Sequence, residues 1–160
     1  MLITNMKKKI TIFQIVFLLS IFSAGAHAGE FVDKLSFGIG YPYLGIKCDL
    51  TEEISVEARG AFDKGVQIYG ARGYYNFNPS SQLIPFAGLE LDYVLFNSDD
   101  IEGSGFIAYP FLGGEYYLAN NISLIMDFGP AFINLEEDEF ELTVDGFEWV
   151  VNFGVYYYFR

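Results

Sequence analysis

The chain has 160 residues, which is enough for one domain and too few for two of ordinary size. Its formal charge is −12 at pH 7, so neither nucleic acid nor an anionic lipid surface attracts it electrostatically. This negative charge argues against a nucleic-acid-binding protein, and we expect no nucleic acid among its partners.

The first 28 residues have the pattern of a secretory signal peptide. Three lysines at positions 7–9 precede an apolar run over residues 10–22, and Ala26-His27-Ala28 supplies a small-residue cleavage site. The apolar run is shorter than the about 20 residues that a spanning helix needs. We therefore predict cleavage after Ala28 rather than a retained anchor, which leaves residues 29–160 as one exported domain.

Cleavage changes the chemistry that remains in the mature chain. Three of the nine basic residues leave while all 21 acidic residues stay, so the formal charge becomes −15. The single histidine, His27, leaves as well, and Cys48 is the single cysteine, so no intramolecular disulfide can form. We expect no histidine-based catalysis, no His–Cys metal site and no cofactor.

Apolar residues alternate along the start of the mature chain, and the phase of the alternation changes once. They occupy odd positions over residues 35–41 and even positions over residues 44–50. A strand cannot change face without a turn or a bulge, and proline is tolerated at such a point. Pro42 therefore marks either a tight turn between two strands or a bulge within a single strand.

Six further segments alternate with a period of two residues, which indicates β-strands. They are residues 54–62, 66–77, 83–96, 105–118, 122–134 and 147–159. The last is the clearest, because every odd position from Phe147 to Phe159 is apolar while the even positions are mainly small or polar. In each segment one face carries bulky aliphatic and aromatic side chains, and the other carries mostly small residues and isolated charges.

The connections between these segments alternate in length. Short turns at 51–53, 78–82 and 119–121 alternate with connections at 63–65, 97–104 and 135–146, of which the last two are longer and acidic. This asymmetry is typical of outer-membrane barrels, whose short turns face the periplasm. Such barrels have even strand numbers, so we prefer eight strands to the seven that a bulge at Pro42 would give. The predicted fold is all-β, an eight-stranded antiparallel up-and-down transmembrane β-barrel with a filled polar lumen.

The composition of the two strand faces favours a barrel in a membrane over a barrel in water. The polar face is small and mixed in charge, which fits the narrow lumen of eight strands better than a soluble surface. The bulky face suits lipid, aromatic residues near the strand ends suit the interfacial girdles, and closure leaves no unpaired edge. A soluble periplasmic β-barrel that binds a small ligand remains an alternative, because residues 43–50 and 54–62 barely approach the ~9–11 residues of a spanning strand.

Four segments carry a resemblance to a known family: residues 38–45 (GIGYPYLG), 56–59 (VEAR), 69–77 (YGARGYYNF) and 156–159 (YYYF). On these motifs the mature chain resembles the small outer-membrane β-barrel family that includes the transmembrane domain of outer membrane protein A. The resemblance implies the bacterial outer membrane as the location, with lipid, lipopolysaccharide and the assembly machinery as partners. Members usually end in an aromatic residue that this machinery reads, whereas here Arg160 follows Phe159.

Charged residues on the polar face predict a network inside the barrel. If that face lines the lumen, the charges that meet there are Lys47, Asp49, Glu57, Arg59, Arg72, Glu90, Asp92, Glu115, Asp127 and Glu148. Charges in a narrow lumen must be paired or hydrated. The first hypothesis is therefore a structural network in which Arg59 and Arg72 each bridge carboxylates from neighbouring strands, similar to the plugged interior of the family. The alternative is a narrow cation-preferring conduit, because acids outnumber bases, although eight strands weigh against an open channel.

Catalytic and metal sites find little support in the sequence. Glu90 and Asp92 lie two residues apart on one face, but no nucleophile–base arrangement accompanies them, so no enzyme is expected. The acidic runs at 99–102 and 136–141 lack the spacing of a calcium loop. Solvated hairpin tips are favoured there over sites for divalent cations that bridge to lipopolysaccharide. The expected function is an outer-membrane barrel with a structural or surface-interaction role.

Overall fold

The computed structural model describes residues 34–98, 101–137 and 143–159. The predicted signal peptide, residues 1–28, lies outside the described residues. The described chain forms eight strands: β1 (Leu35–Tyr41), β2 (Leu44–Asp49), β3 (Ile54–Asp63), β4 (Val66–Asn76), β5 (Leu83–Ser98), β6 (Ile101–Ala119), β7 (Ile122–Glu137) and β8 (Thr143–Tyr158). Each strand pairs antiparallel with the next, and β1 also pairs antiparallel with β8, so the sheet closes into a barrel. Among the described residues no helix is long and apolar enough to cross a membrane.

The change of phase at Pro42 is a turn between two strands. Pro42 and Tyr43 connect β1 to β2, and Ile39 pairs with Leu44 directly across the turn. The Tyr41-Pro42 peptide bond is cis. The predicted total of eight strands is confirmed, and the single bulged strand is excluded.

The alternation of the sequence becomes the two surfaces of the barrel. On β8 and the residue after it, the apolar side chains at odd positions from Phe147 to Phe159 point outward, with exposed fractions between 42% and 69%. The side chains of Asn152, Tyr156 and Tyr158, on the even positions, are buried in the lumen. The other strands repeat this arrangement, so the apolar face is the outer surface of the barrel, as predicted.

The two ends of the barrel differ, and we name them by what they hold. The terminal end holds residues 34 and 159 together with the turns at 50–53, 77–82 and 120–121. The hairpin end holds the β1–β2 turn, the β3–β4 turn, the ends of β5 and β7 and the starts of β6 and β8. The β3–β4 turn contains only two residues, and Gly65 adopts a positive φ of 77° there, which glycine does at little cost.

The structure corrects the two long connections predicted at 97–104 and 135–146. Strand pairing continues into both, since β5 runs to Ser98, β6 begins at Ile101, β7 runs to Glu137 and β8 begins at Thr143. Polar side chains form hydrogen bonds between the paired strands of each hairpin. Asn97 donates to Glu102, and Asn134 Nδ2 donates to Asp145 Oδ1 at 2.8 Å. Strand pairing therefore extends through segments whose acidic and glycine-rich composition had indicated loops.

As a result, the rim at the hairpin end is uneven. Strands β1 and β2 contain 7 and 6 residues, and β3 and β4 contain 10 and 11. Strands β5 to β8 contain 16 to 19 residues each. One side of the barrel is therefore much lower than the other.

Candidate functional site

The lumen places charges of alternating sign side by side, because the strand register aligns them. Lys47 pairs with Glu57, Glu57 with Arg72, and Arg72 with Glu90 across β2, β3, β4 and β5. Directly opposed residues have Cβ atoms about 4.5–5.5 Å apart. Gly45 next to this row makes room for it, since a Cβ there would overlap the Glu57 carboxylate.

Arg72 is the centre of the larger group of charges, which we call the arginine cluster (Glu57, Arg59, Arg72, Glu90 and Asp127). Its guanidinium makes a bidentate pair with Asp127, with Nη1–Oδ2 and Nη2–Oδ1 distances of 2.9 Å. Its Nε lies 3.0 Å from Glu90 Oε2. Bidentate pairing is the strongest form of charge-assisted hydrogen bond between side chains, so Arg72 ties β4 to β5 and, across the lumen, to β7.

Arg59 extends the arginine cluster toward the hairpin end. Its Nε lies 3.1 Å from Glu57 Oε1, and its Nη1 lies 3.8 Å from Glu90 Oε2. The guanidinium carbon lies 3.4 Å from the centroid of the Tyr43 ring, in a cation–π arrangement. Tyr43 thus covers the cluster on the side of the hairpin end.

A second group lies nearer the terminal end, and we call it the lysine cluster (Lys47, Glu115, Ser123 and Tyr158). Lys47 Nζ donates to Glu115 Oε2 at 2.6 Å and to the Tyr158 hydroxyl at 3.1 Å. Glu115 also accepts hydrogen bonds from Ser123 and Tyr158. Because a buried charge is tolerated only when it is paired and hydrogen-bonded, these contacts explain how an ammonium group is stable inside the barrel.

The ten predicted site residues therefore fall into two clusters and three outlying positions. Asp49 borders the lysine cluster, 3.8 Å from Lys47, and accepts a hydrogen bond from Ser55 at 2.8 Å. Asp92 is half-buried beside Glu90, and among the described residues no basic side chain lies within 4.0 Å of it. Glu148 is exposed at the hairpin end. Only seven of the ten lie inside the clusters, and Arg72 reaches across the lumen rather than to neighbouring strands alone.

Tyrosines form a large part of the site, and the sequence interpretation did not include them. Tyr156 donates to Glu57 at 2.6 Å, Tyr74 also donates to Glu57, and Tyr109 donates to Asp127 at 2.8 Å. A tyrosine fills space with its ring and satisfies a carboxylate with its hydroxyl. The inward phase of residues 74, 156 and 158 is the sequence signal that identifies three of these lumen tyrosines.

The arrangement holds strands together and fills the lumen. The rings of Tyr74, Phe86 and Phe111 pack edge to face, with centroids of Tyr74 5.3 Å from those of the other two. Among the described residues no group of three or more His, Cys, Asp or Glu side chains is placed to hold a metal ion. The predicted acidic sites at 99–100 and 138–141 lie outside the described residues.

Fold and lumen together define a closed, eight-stranded antiparallel barrel with a charged, hydrogen-bonded interior. The crystal structure of the N-terminal β-barrel domain of Pseudomonas aeruginosa OprF is similar, with a TM-score of 0.52 and 16% sequence identity. The match covers 77% of this chain and 92% of that domain, and it supports the architecture alone. No protein-family model matches the chain, and no curated protein is significantly similar to it in sequence.

Proposed function

We propose that the chain is an outer-membrane β-barrel with a structural or surface-interaction role, whose lumen is plugged by the arginine and lysine clusters. The distribution of polarity carries this proposal. Bulky apolar side chains cover the outside, including Leu89, Leu91, Phe106 and Phe128, each about half exposed or more. Charged side chains lie inside, which is the reverse of a water-soluble barrel and the arrangement that lipid requires.

The height of the apolar surface supports the same proposal. On the chain segment from Phe147 to Phe159 the outward residues are continuously apolar. At about 3.3 Å per residue and a strand tilt of about 40°, this belt is roughly 30 Å tall, close to the about 25 Å band of outer-membrane barrels. The sides of the barrel would contact lipid and lipopolysaccharide, and Phe159 is outward-facing where the assembly machinery would read the last strand.

The plugged lumen supports a non-catalytic role without a cofactor. The arginines and carboxylates are engaged with one another and with tyrosine hydroxyls, and such bonds fix side chains rather than leave them free to react. The exposed described parts of the β5–β6 and β7–β8 hairpins, where Glu102 and Asp145 bond to asparagines, are then a surface available for interactions outside the cell.

Cell fractionation tests the proposed location. We expect the protein in the outer-membrane fraction, and we expect its band to change mobility between unboiled and boiled gel samples, because a closed barrel resists detergent until it is heated. Recovery in the osmotic-shock fluid without a mobility change would instead support the soluble periplasmic barrel that binds a small ligand.

Planar-bilayer recording tests the cation conduit, which the excess of lumen acids favours. We expect no steady openings from the wild-type protein, because Arg72 contacts Asp127 and Lys47 contacts Glu115 across the lumen and eight strands leave little space. Regular cation-selective openings in the wild type would contradict the plugged lumen and favour the conduit.

A further inference from the structure

The low side of the barrel leaves part of β8 without a second neighbour. β1 pairs with β8 only from Tyr41 opposite Phe153 to Ser36 opposite Tyr158. Within the described chain, residues 143–152 of β8 pair with β7 alone. The other edge of this segment borders a gap above the β1–β2 turn, between β8 and β3, which we call the side opening.

This opening lies at the depth of the apolar belt. Along the same stretch of β8 the outward side chains of Phe147, Trp149 and Val151 are 56% to 69% exposed. Phe147 is six residues beyond Phe153, which is about 20 Å along a strand. With 6 or 7 residues each, β1 and β2 are shorter than the ~9–11 residues that span a bilayer. In a bilayer the opening therefore faces lipid rather than the water above it.

Behind the opening lies a cavity of about 210 Å³. Apolar surface predominates in its wall, where six aliphatic side chains (Ala61, Ile68, Ile107, Ala131, Ile133 and Val150) lie together with the charged Arg59, Glu90, Asp92 and Glu148. The six aliphatic side chains are buried or half-buried and face inward. An inward aliphatic surface contributes nothing to the charged plug, and it is chemically matched to a hydrocarbon chain.

The floor of the cavity is closed. The arginine cluster itself forms part of this floor, since Arg59 and Glu90 line it together with Pro42 and Tyr43, and the Tyr43 ring is stacked on the Arg59 guanidinium. The cavity volume is about 210 Å³. That is enough for part of one acyl chain and too little for a whole lipid, so a bound chain would end above the floor.

We propose that the side opening admits one acyl chain of a membrane lipid into this cavity, while the polar glycerol and ester groups of that lipid lie against the free edge of β8. The free edge presents unpaired backbone N–H and C=O groups, which are costly in hydrocarbon unless a polar group meets them. A lipid lying sideways supplies a polar partner for the edge and an apolar occupant for the cavity, since its ester region faces the edge and its chain faces Ile133 and Val150. This inference rests on the proposed function, because it requires the barrel to be in a bilayer.

Photolabelling tests the inference with the unmodified protein. The folded barrel is reconstituted into phosphatidylcholine vesicles that contain a lipid with a diazirine on its acyl chain, irradiated and mapped by tandem mass spectrometry. We expect labels on outward residues such as Val151 and Phe132 and also on the inward Ile133 and Val150. Ile125, which is fully buried in the lumen on the other side of the floor, should remain unlabelled.

The labelling pattern distinguishes failure of the side opening from failure of the proposed membrane location. Labels on outward residues alone, or equal labels on Ile125 and Val150, would overturn the side opening while leaving the membrane barrel intact. Absence of label from outward residues would overturn the membrane location itself and the opening with it.

A matched pair of variants tests whether the cavity is the binding site. Val150→Trp fills the cavity, so we expect the label on Ile133 to be lost while the label on Phe132 is kept. Val151→Trp places the same ring on the outer surface one residue away, so both labels should be kept. The heat-dependent gel shift checks that each variant has folded, and unchanged labelling of Ile133 in folded Val150→Trp would contradict the proposal.

Discussion

Arg72→Ala is expected to destabilise the barrel by about 3–5 kcal/mol, the usual cost of removing one partner from a buried ion pair. The variant loses the bidentate pair to Asp127 and the contact with Glu90. Both carboxylates then stay buried without their main cation, in a lumen where Arg72 is 2% and Asp127 0% exposed. The loss also removes the packing of the guanidinium on the Phe111 ring, at 3.7 Å from its centroid.

The measurement is urea unfolding of the refolded barrel in detergent micelles, with cell fractionation to verify that the localisation is unchanged. A double variant, Arg72→Leu with Asp127→Leu, should recover part of the lost stability, because replacing a whole buried pair with apolar side chains is often neutral. Asp145→Asn, at an exposed hairpin position, is the control and should stay within about 0.5 kcal/mol of the wild type. Unchanged stability of Arg72→Ala would contradict a structural role for the arginine cluster.

Leu89→Arg is expected to cost about 2–4 kcal/mol of stability in a bilayer, the range for arginine on the lipid face at the midplane of a barrel. Leu89 is outward and 49% exposed, and it lies midway between Leu83 and Leu95, which bound the apolar surface of β5. If the barrel were soluble, the same change would place a charge in water and stay within about 0.5 kcal/mol. This difference separates the two environments without reference to the lumen.

The measurement is the unfolding free energy of the refolded protein in lipid vesicles. Leu83→Arg is the matched control, because Leu83 lies at the terminal end of β5, where the expected cost falls to about 0–1 kcal/mol. Equal effects at the two positions would argue against a bilayer around the barrel and favour the soluble alternative.

The alternation of apolar and polar residues predicted most of the fold. On β8 the odd positions point outward, and on β4 the inward positions include Arg72, Tyr74 and Asn76, as the sequence pattern required. The upper halves of the long hairpins could not be predicted in the same way. Gly103 and Glu102 belong to a composition that is typical of loops, yet pairing with β5 makes this segment a strand.

The sequence by itself determined where the strands lie and which charges share a strand face, because side chains alternate across any extended backbone and this property is local. The structure decided between seven and eight strands and placed the apolar face on the outside of the barrel. Only the tertiary structure decided which charges meet. Lys47 and Glu115 are 68 residues apart, and they touch because closure brings β2 and β6 face to face across the lumen. The uneven rim and the aliphatic cavity likewise depend on relative strand lengths around a closed barrel, which no single segment of the sequence contains.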